Sequence, residues 1–356
     1  MGFINFFQTK YKQTNNLMTQ LSLMFIILGV GMIMLNAINK NNTVITETTD
    51  NTFKCSITNN NETLLPIEDL NSSYSLSLID YSVDVFKTDL SKNSIPAIFE
   101  TNFVSISNVE KCLLDDELSV VVIKDNEVLV FPQKILRFHI AVNTYIKDIP
   151  ILVTYSPLSD HYEVFSRNYK GAILEFGISG ALYKNVDLIY DLSNESLWSQ
   201  FNGKALLGNY TGATLEKLPY KLLTIGEVRN NFKTFKIMSF ETGYMRNYDE
   251  DAFNEYRTDY NFVGTINNTQ NMFENKDVIL GFNLDNKQYS VLESTITDNV
   301  NIFSDGISKF EISKVTGEYL IRNNSSKNEQ FIKEYTSTYA FVWYDFFPLT
   351  KKLNRL

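Results

Sequence analysis

The sequence predicts a mainly β fold with a few short helices, a β-rich α+β ectodomain behind one N-terminal membrane helix. Three observations predict it. Short apolar stretches bounded by Asp, Asn, Gly and Pro recur from about residue 74 to the end of the chain. Helical spacing is confined to brief runs, of which Gln133 to Asn143 and Ile225 to Phe232 are the clearest. Leu17 to Ile38 contains no charged residue, and about twenty apolar residues suffice to cross the hydrocarbon core of a bilayer as a helix.

Taken in order, residues 1–16 are polar, with Lys10 and Lys12 as their only charges. That basic flank places the N-terminus in the cytoplasm and everything after Ile38 outside. The apolar core exceeds that of a cleaved signal peptide and the exit at Leu35-Asn36-Ala37 is a poor cleavage site, so an uncleaved anchor over 17–38 is expected. Residues 39–73 are rich in Asn and Thr and lack a sustained period, as a tether would be. The sequons at Asn61 and Asn71 carry no weight in so Asn-rich a chain.

The ectodomain, 74–356, shows no internal linker. Leu118 to Lys124 and Val128 to Phe131 flank Asp125-Asn126-Glu127 as a hairpin, and Pro132 ends the second strand. Within Gln133 to Asn143 the positions of Leu136, His139, Ile140 and Asn143 put His139 and Asn143 on one helix face. Ile149 to Thr154 reads as a buried strand broken by Pro157. Tyr162 to Ser166 and Ala172 to Ile178 read as a second hairpin. Strands at Val186 to Asp191 and Lys204 to Tyr210 flank a Ser-Leu-Trp-Ser-Gln run. Thr234 to Phe240 returns to strand. Asp277 to Val291 repeats the shape of the first hairpin: a weak internal duplication, a pair of matched sheet edges, or no more than the likeness of any hairpin to another. Phe310 to Ile321 forms another hairpin around Thr316-Gly317, and Ser337 to Phe347 closes the domain as an aromatic strand or helix.

The formal net charge is −9 and no basic block occurs, which argues against a nucleic-acid partner. Two cysteines, Cys55 and Cys112, form no metal knuckle; one bridge and two separate thiols are both open. With His139 and His161 as the only histidines, a multi-histidine metal site within one chain is impossible.

The densest stretch is Phe176 to Gly203. Gly177-Ile178-Ser179-Gly180-Ala181 misses the nucleophile-elbow pattern by one position and sits between strands, so Ser179 reads as a turn residue and Gly177 and Gly180 as turn glycines. Glu195 with Asp191 or Asp187, and Trp198 as a stacking platform, would suit a glycosidase, but acid pairs at such spacing are too common to carry that reading. Trp198 reads as packing, its indole N–H satisfied locally.

From Ile95 onward the order of motifs resembles the domain-of-unknown-function family numbered 3179. The pieces are Ile95-Pro96-Ala97-Ile98, Val130-Phe131-Pro132 to Leu136, Phe138-His139 with Asn143, and Val153-Thr154-Tyr155 before Pro157-Leu158. FGISGALY, LIYDLSNESLWSQFNGKALLG and Gly212 to Pro219 follow; the likeness is strongest over 95–281 and weaker at Lys276 to Gly281 and Phe341 to Thr350. The resemblance implies extracytoplasmic placement, and Cys-Pro-Leu-Cys where this chain has Ser156-Pro157-Leu158-Ser159. It also implies His-Glu and Asn-Asp where His139-Ile140 and Asn143-Thr144 stand. Thiols there would suit a soft metal or a redox pair; serine hydroxyls suit neither.

These strands of argument place a pocket lined by His139, Asn143, Ser156, Ser159, Glu195, Ser196, Trp198 and Gln200. The function expected is a membrane-anchored extracytoplasmic binding or structural module, more a non-enzyme than an enzyme, with a small-molecule or protein ligand. The alternative is a metal-binding or redox-related enzyme using a residual pocket, in which His139, Asn143, Asp160, His161 and Glu195 would supply ligands. No cofactor and no metal is predicted, and the ligand is left open.

Overall fold

The computed structural model describes residues 85–87, 90–259, 261–264, 266, 272–324 and 330–356. The expected cytoplasmic stretch, anchor and tether (1–73), together with Cys55, lie outside the described residues. Among those described, no helix is long and apolar enough to cross a membrane. Cys112 is disulfide-bonded. The architecture is mainly β with short helices, as the sequence predicts.

Two short strands, β1 (Val85–Lys87) and β2 (Phe103–Val104), precede the first hairpin. That hairpin is β3 (Leu118–Lys124) with β4 (Glu127–Pro132), where the sequence placed it. Its valines are buried, so the strands read as continuous apolar runs rather than alternating ones. Pro132 ends β4 and caps α1 (Gln133–His139).

Here the structure corrects the sequence reading. The helix stops at His139, because Ile140 takes a left-handed backbone (φ 61°) and its N–H closes the last turn on the Leu136 carbonyl at 2.7 Å. Asn143 therefore lies on a strand, not on the helix face of His139. The segment Ala141-Val-Asn-Thr-Tyr-Ile is rich in residues that favour strands, and pairing with a neighbouring strand outweighs the helical spacing. It is β5 (Ala141–Ile146), followed in an antiparallel meander by β6 (Ile149–Ser156) and β7 (His161–Ser166).

A small hairpin of β8 (Asn168–Tyr169) and β9 (Ala172–Ile173) leads into β10 (Phe176–Tyr183), β11 (Val186–Asp191), β12 (Leu197–Ser199) and β13 (Ala205–Leu207). These form a sheet in the order β1-β10-β11-β12-β13. The hairpin expected between Tyr162–Ser166 and Ala172–Ile178 is not formed: β7 pairs with β6, and β10 pairs with β11. Likewise Leu197–Ser199 is itself a strand rather than a run between strands. Gly180 has φ 76° at a register shift in β10, where a Cβ would strike the Leu90 carbonyl. Gly177 is not in the left-handed region; it is small because the Tyr190 ring and Asn93 lie against it.

The first hairpin's sheet is completed by β14 (Lys221–Thr224) and β15 (Lys236–Met238), joined by α2 (Ile225–Asn231). Thr224 and Glu227 form a reciprocal capping box that starts α2. β14 is antiparallel to β3 while β15 is parallel to β4, giving the order β14-β3-β4-β15-β2. A short helix α3 (Asn254–Thr258) follows.

The second half repeats this plan. β16 (Val278–Leu284) and β17 (Lys287–Leu292) form a hairpin through Asp285 and Asn286, both left-handed as a tight two-residue turn requires. A meander of β18 (Asn301–Ser304), β19 (Lys309–Val315), β20 (Glu318–Asn323) and β21 (Gln330–Ile332) comes next. Then β22 (Tyr335–Tyr339), α4 (Ala340–Phe346) and β23 (Lys351–Lys352) close the sheet in the order β22-β16-β17-β23. β22 is antiparallel to β16 and β23 parallel to β17, matching β14 and β15. A final strand, β24 (Asn354–Arg355), pairs with β18.

Hairpin, meander and strand-helix-strand thus occur twice, with β8–β13 inserted into the first copy. Each repeat has its own apolar core, and the inserted sheet has another. The repeats clasp one another. The Tyr339 N–H of β22 donates to the Ser159 carbonyl of the β6–β7 turn at 3.0 Å. In return Lys221 of β14 pairs with Glu318 beside the β19–β20 turn at 3.1 Å.

Candidate functional site

The eight predicted pocket residues fall into separate hydrogen-bonded networks, and Glu195 lies at the surface. The first is built on Asp191, fully buried at the end of β11. Its Oδ1 accepts from Ser193 Oγ and the Asn194 N–H, each at 2.7 Å; its Oδ2 accepts from the Ser196 N–H at 3.1 Å and Trp198 Nε1 at 3.0 Å. A carboxylate can satisfy several donors at once, and Asp191 uses that capacity to fold its own turn. Trp198 is packed edge-on against Phe176 and Tyr169 with its indole N–H spent. Ser196 Oγ accepts the Tyr210 N–H at 3.1 Å. Glu195 points the other way, with a side chain 62 % exposed and paired to Lys92. The specific Tyr-Asp…Glu-Ser-Leu-Trp-Ser-Gln pattern is therefore a folding signature for a turn and strand.

His139 and Asn143 also serve the frame. His139 Nδ1 donates to the Pro96 carbonyl at 2.8 Å, and Nε2 accepts from Tyr248 Oη at 2.7 Å. Burial pushes its pKa down to about 4, so the ring is neutral at pH 7. Asn143 clamps β10 to β5: Oδ1 accepts the Phe176 N–H at 2.8 Å and Nδ2 donates to the Phe176 carbonyl at 2.9 Å.

Ser156, Ser159 and Gln200 gather around the β6–β7 turn with His161, and Asp187 joins them from β11. Ser156 Oγ donates to Asp187 Oδ2 at 2.6 Å. Burial pushes the Asp187 carboxyl up to about 6, the Ser156 hydrogen bond opposing it. Ser159 Oγ donates to the Ser156 carbonyl at 3.3 Å, and the Ser159 carbonyl receives Thr338 Oγ1 at 2.7 Å. Gln200 Nε2 donates to Thr154 Oγ1 at 2.9 Å and to the His161 carbonyl at 3.1 Å. His161 Nδ1 donates to the Ser337 carbonyl at 3.2 Å, and burial with the nearby Lys217 ammonium pushes its pKa down to about 3. Three polar atoms here are buried without a hydrogen-bond partner: His161 Nε2, Ser199 Oγ and Gln200 Oε1.

His161 Nε2 faces Glu163 Oε2 at 4.0 Å. Glu163 belongs to a crevice of about 720 Å³ between β7 and the Lys217–Leu222 segment on one side and β16, β19–β22 and α4 on the other. Lys217 pairs with Glu163, whose carboxyl burial pushes above its ordinary range while that ammonium pulls it down. Across the crevice Glu293 accepts from Tyr319 Oη at 2.5 Å and from Ser337 Oγ, with Lys314 Nζ at 4.0 Å. Sequence reasoning missed this crevice because Glu163, Lys217 and Glu293 come from distant segments that only the clasp of the repeats brings together. Among the described residues no group of three or more His, Cys, Asp or Glu could hold a metal ion.

The family model described as "Protein of unknown function (DUF3179)" matches residues 92–332. The chain belongs to this family. The matched span covers the first repeat, the inserted sheet and most of the second repeat, ending at Ile332 before β22 begins. No curated protein and no solved structure matches the chain.

Proposed function

We propose that this DUF3179 member is a membrane-anchored, extracytoplasmic binding module without catalytic chemistry at the predicted pocket. The observation that carries the reading is the state of Ser156 and Ser159. Both are fully buried, both hydroxyls are engaged within the turn or by Asp187, and neither faces the crevice lining. A hydroxyl held this way is a structural donor, and serine oxygen is a poor ligand for soft metals. The open crevice next to the turn is within the size range of ligand sites, roughly 300–1,000 Å³. The charge-free stretch at 17–38 and the disulfide at Cys112 support anchoring and an oxidising compartment.

The reading is tested on the full chain purified from native membranes. Extraction should require detergent and resist alkaline carbonate, and elemental analysis should find copper, zinc and iron far below one atom per chain. Stoichiometric metal would instead establish the metal or redox enzyme. Restoring cysteines as Ser156→Cys with Ser159→Cys should create no metal uptake if the turn serves structure here.

A further inference from the structure

We propose that the crevice between the repeats binds a neutral, polyhydroxylated ligand, a short glycan segment, with Glu163 and Glu293 accepting its hydroxyls. This rests on the reading of the chain as a binding module and names the ligand class for it. One carboxylate comes from each repeat, Glu163 on β7 and Glu293 just after β17. Both carry a lysine nearby: Lys217 pairs with Glu163, and Lys314 stands 4.0 Å from Glu293. A cationic ligand would have to compete with those ammonium groups and that of Lys333, and an anionic one would meet the carboxylates of Glu163, Glu293, Glu318 and Glu334. A neutral ligand avoids both costs, because its hydroxyls can donate to carboxylate oxygens and accept from the lysines.

Acceptor capacity is left over. Glu293 receives one hydroxyl on each oxygen, and Glu163 receives the Val164 N–H and Lys217, whereas a carboxylate offers about four lone-pair positions. The walls add what a sugar ring needs besides hydrogen bonds. Tyr220, Tyr319, Tyr335 and Phe331 line the crevice, and Phe331 is 60 % exposed, an aromatic surface large enough to meet the C–H face of a ring. Asn202 and Asn283, also in the lining, each add an amide able to donate and accept.

The test is calorimetric titration of the full chain, held in a sugar-free detergent, with chitotriose, cellotriose and maltotriose, and with spermidine and a neutral hexapeptide as comparators. At least one trisaccharide should bind with a Kd below about 1 mM, and Phe331→Ser and Glu293→Gln should each weaken it about tenfold. Phe331 is exposed, so its loss leaves folding intact, and an unchanged Tm certifies the Glu293 variant. Ile307, 81 % exposed and outside the crevice, should be replaceable by Ser without effect. Trisaccharide binding indifferent to Phe331→Ser and Glu293→Gln overturns the proposal. So does binding of spermidine or the hexapeptide alone, and so does silence from all five probes. None of these outcomes touches the metal and membrane tests of the broader reading, so the two fail separately.

Discussion

In the first repeat α2 lays Val228 into a core of Val120, Val121 and Leu223, whereas in the second repeat α4 lays Trp343 directly over Gly281. The same strand-helix-strand plan is thus packed with medium side chains in one copy and with a large-on-small pair in the other. The turns differ too. β19 and β20 are joined by Thr316-Gly317, both left-handed, while the equivalent β6–β7 connection is widened to Pro157–Asp160 and carries Ser159 against β22. Both of the chain's histidines and the buried Asp187 lie in the first repeat or its insertion. Both repeats bury polar side chains, Ser290, Asn301 and Thr338 among them in the second, but the buried imidazoles belong to the first alone. That asymmetry locates the elaborated face at the β6–β7 turn and the crevice beside it.

The sharpest way to break the comparison is to empty the two helix contacts. Trp343→Ala should cost about 3–5 kcal/mol, since it leaves a cavity over Gly281 and strands Thr350, which Nε1 reaches at 2.9 Å. Val228→Ala should cost about 2 kcal/mol, from a smaller buried volume. Equal losses in denaturant unfolding would mean that the two helix contacts contribute alike, and the packing contrast between the repeats would fall.

Acid should separate the repeats by a smaller amount. His139 and His161 have folded pKa values pushed down to about 4 and about 3, below the unfolded value of 6.5. Their stabilisation is present above pH 6.5 and is lost as pH falls towards those folded values. Asp187, pushed up to about 6 from 3.8, acts oppositely, since its penalty grows as pH rises through that window. Asp160 and Glu163, whose carboxyls burial also raises, act with Asp187, so the histidine share is read by difference: acidification from pH 7 to 4 should destabilise the first repeat more in the unaltered chain than in His139→Gln, by on the order of one kcal/mol per shifted unit. Hydrogen exchange, corrected for intrinsic rates, should show that difference in β5–β7 and not in β16–β17. Uniform loss across both repeats would remove the distinction.

The smallest contrast concerns the turns. Gly317 has φ 73°, and a Cβ there would lie 2.5 Å from the Leu222 carbonyl, so Gly317→Ala should cost about 2 kcal/mol. Leu158→Ala in the wider turn should cost under about 1 kcal/mol, because its side chain is only half-buried. Thermal unfolding of both variants decides it. Similar Tm shifts would show that the wide turn is as tightly constrained as the narrow one.

Several elements were legible because their signals are local. The first hairpin, the Asp285-Asn286 and Thr316-Gly317 turns and the short helix at Ile225 all follow from turn chemistry and apolar runs within a few residues of one another. The family likeness was legible for the same reason, since Tyr190 to Gln200 folds its own turn around Asp191. The helical spacing runs on to Asn143 although the helix ends at His139, because a left-handed Ile140 has no signature in sequence and is tolerated only where the β5–β6 pairing rewards it.

The strands, the tight turns and the β-rich class are therefore written in the local pattern of the chain, because hydrophobic period and turn propensity act over short distances. Tertiary structure alone decided that β14 and β22 close matching sheets, and that the predicted pocket residues are dispersed into the frame. It also decided that Glu163 and Glu293 face one crevice. Such pairings depend on which surfaces bury each other across the repeats, and no local pattern along the chain records that choice.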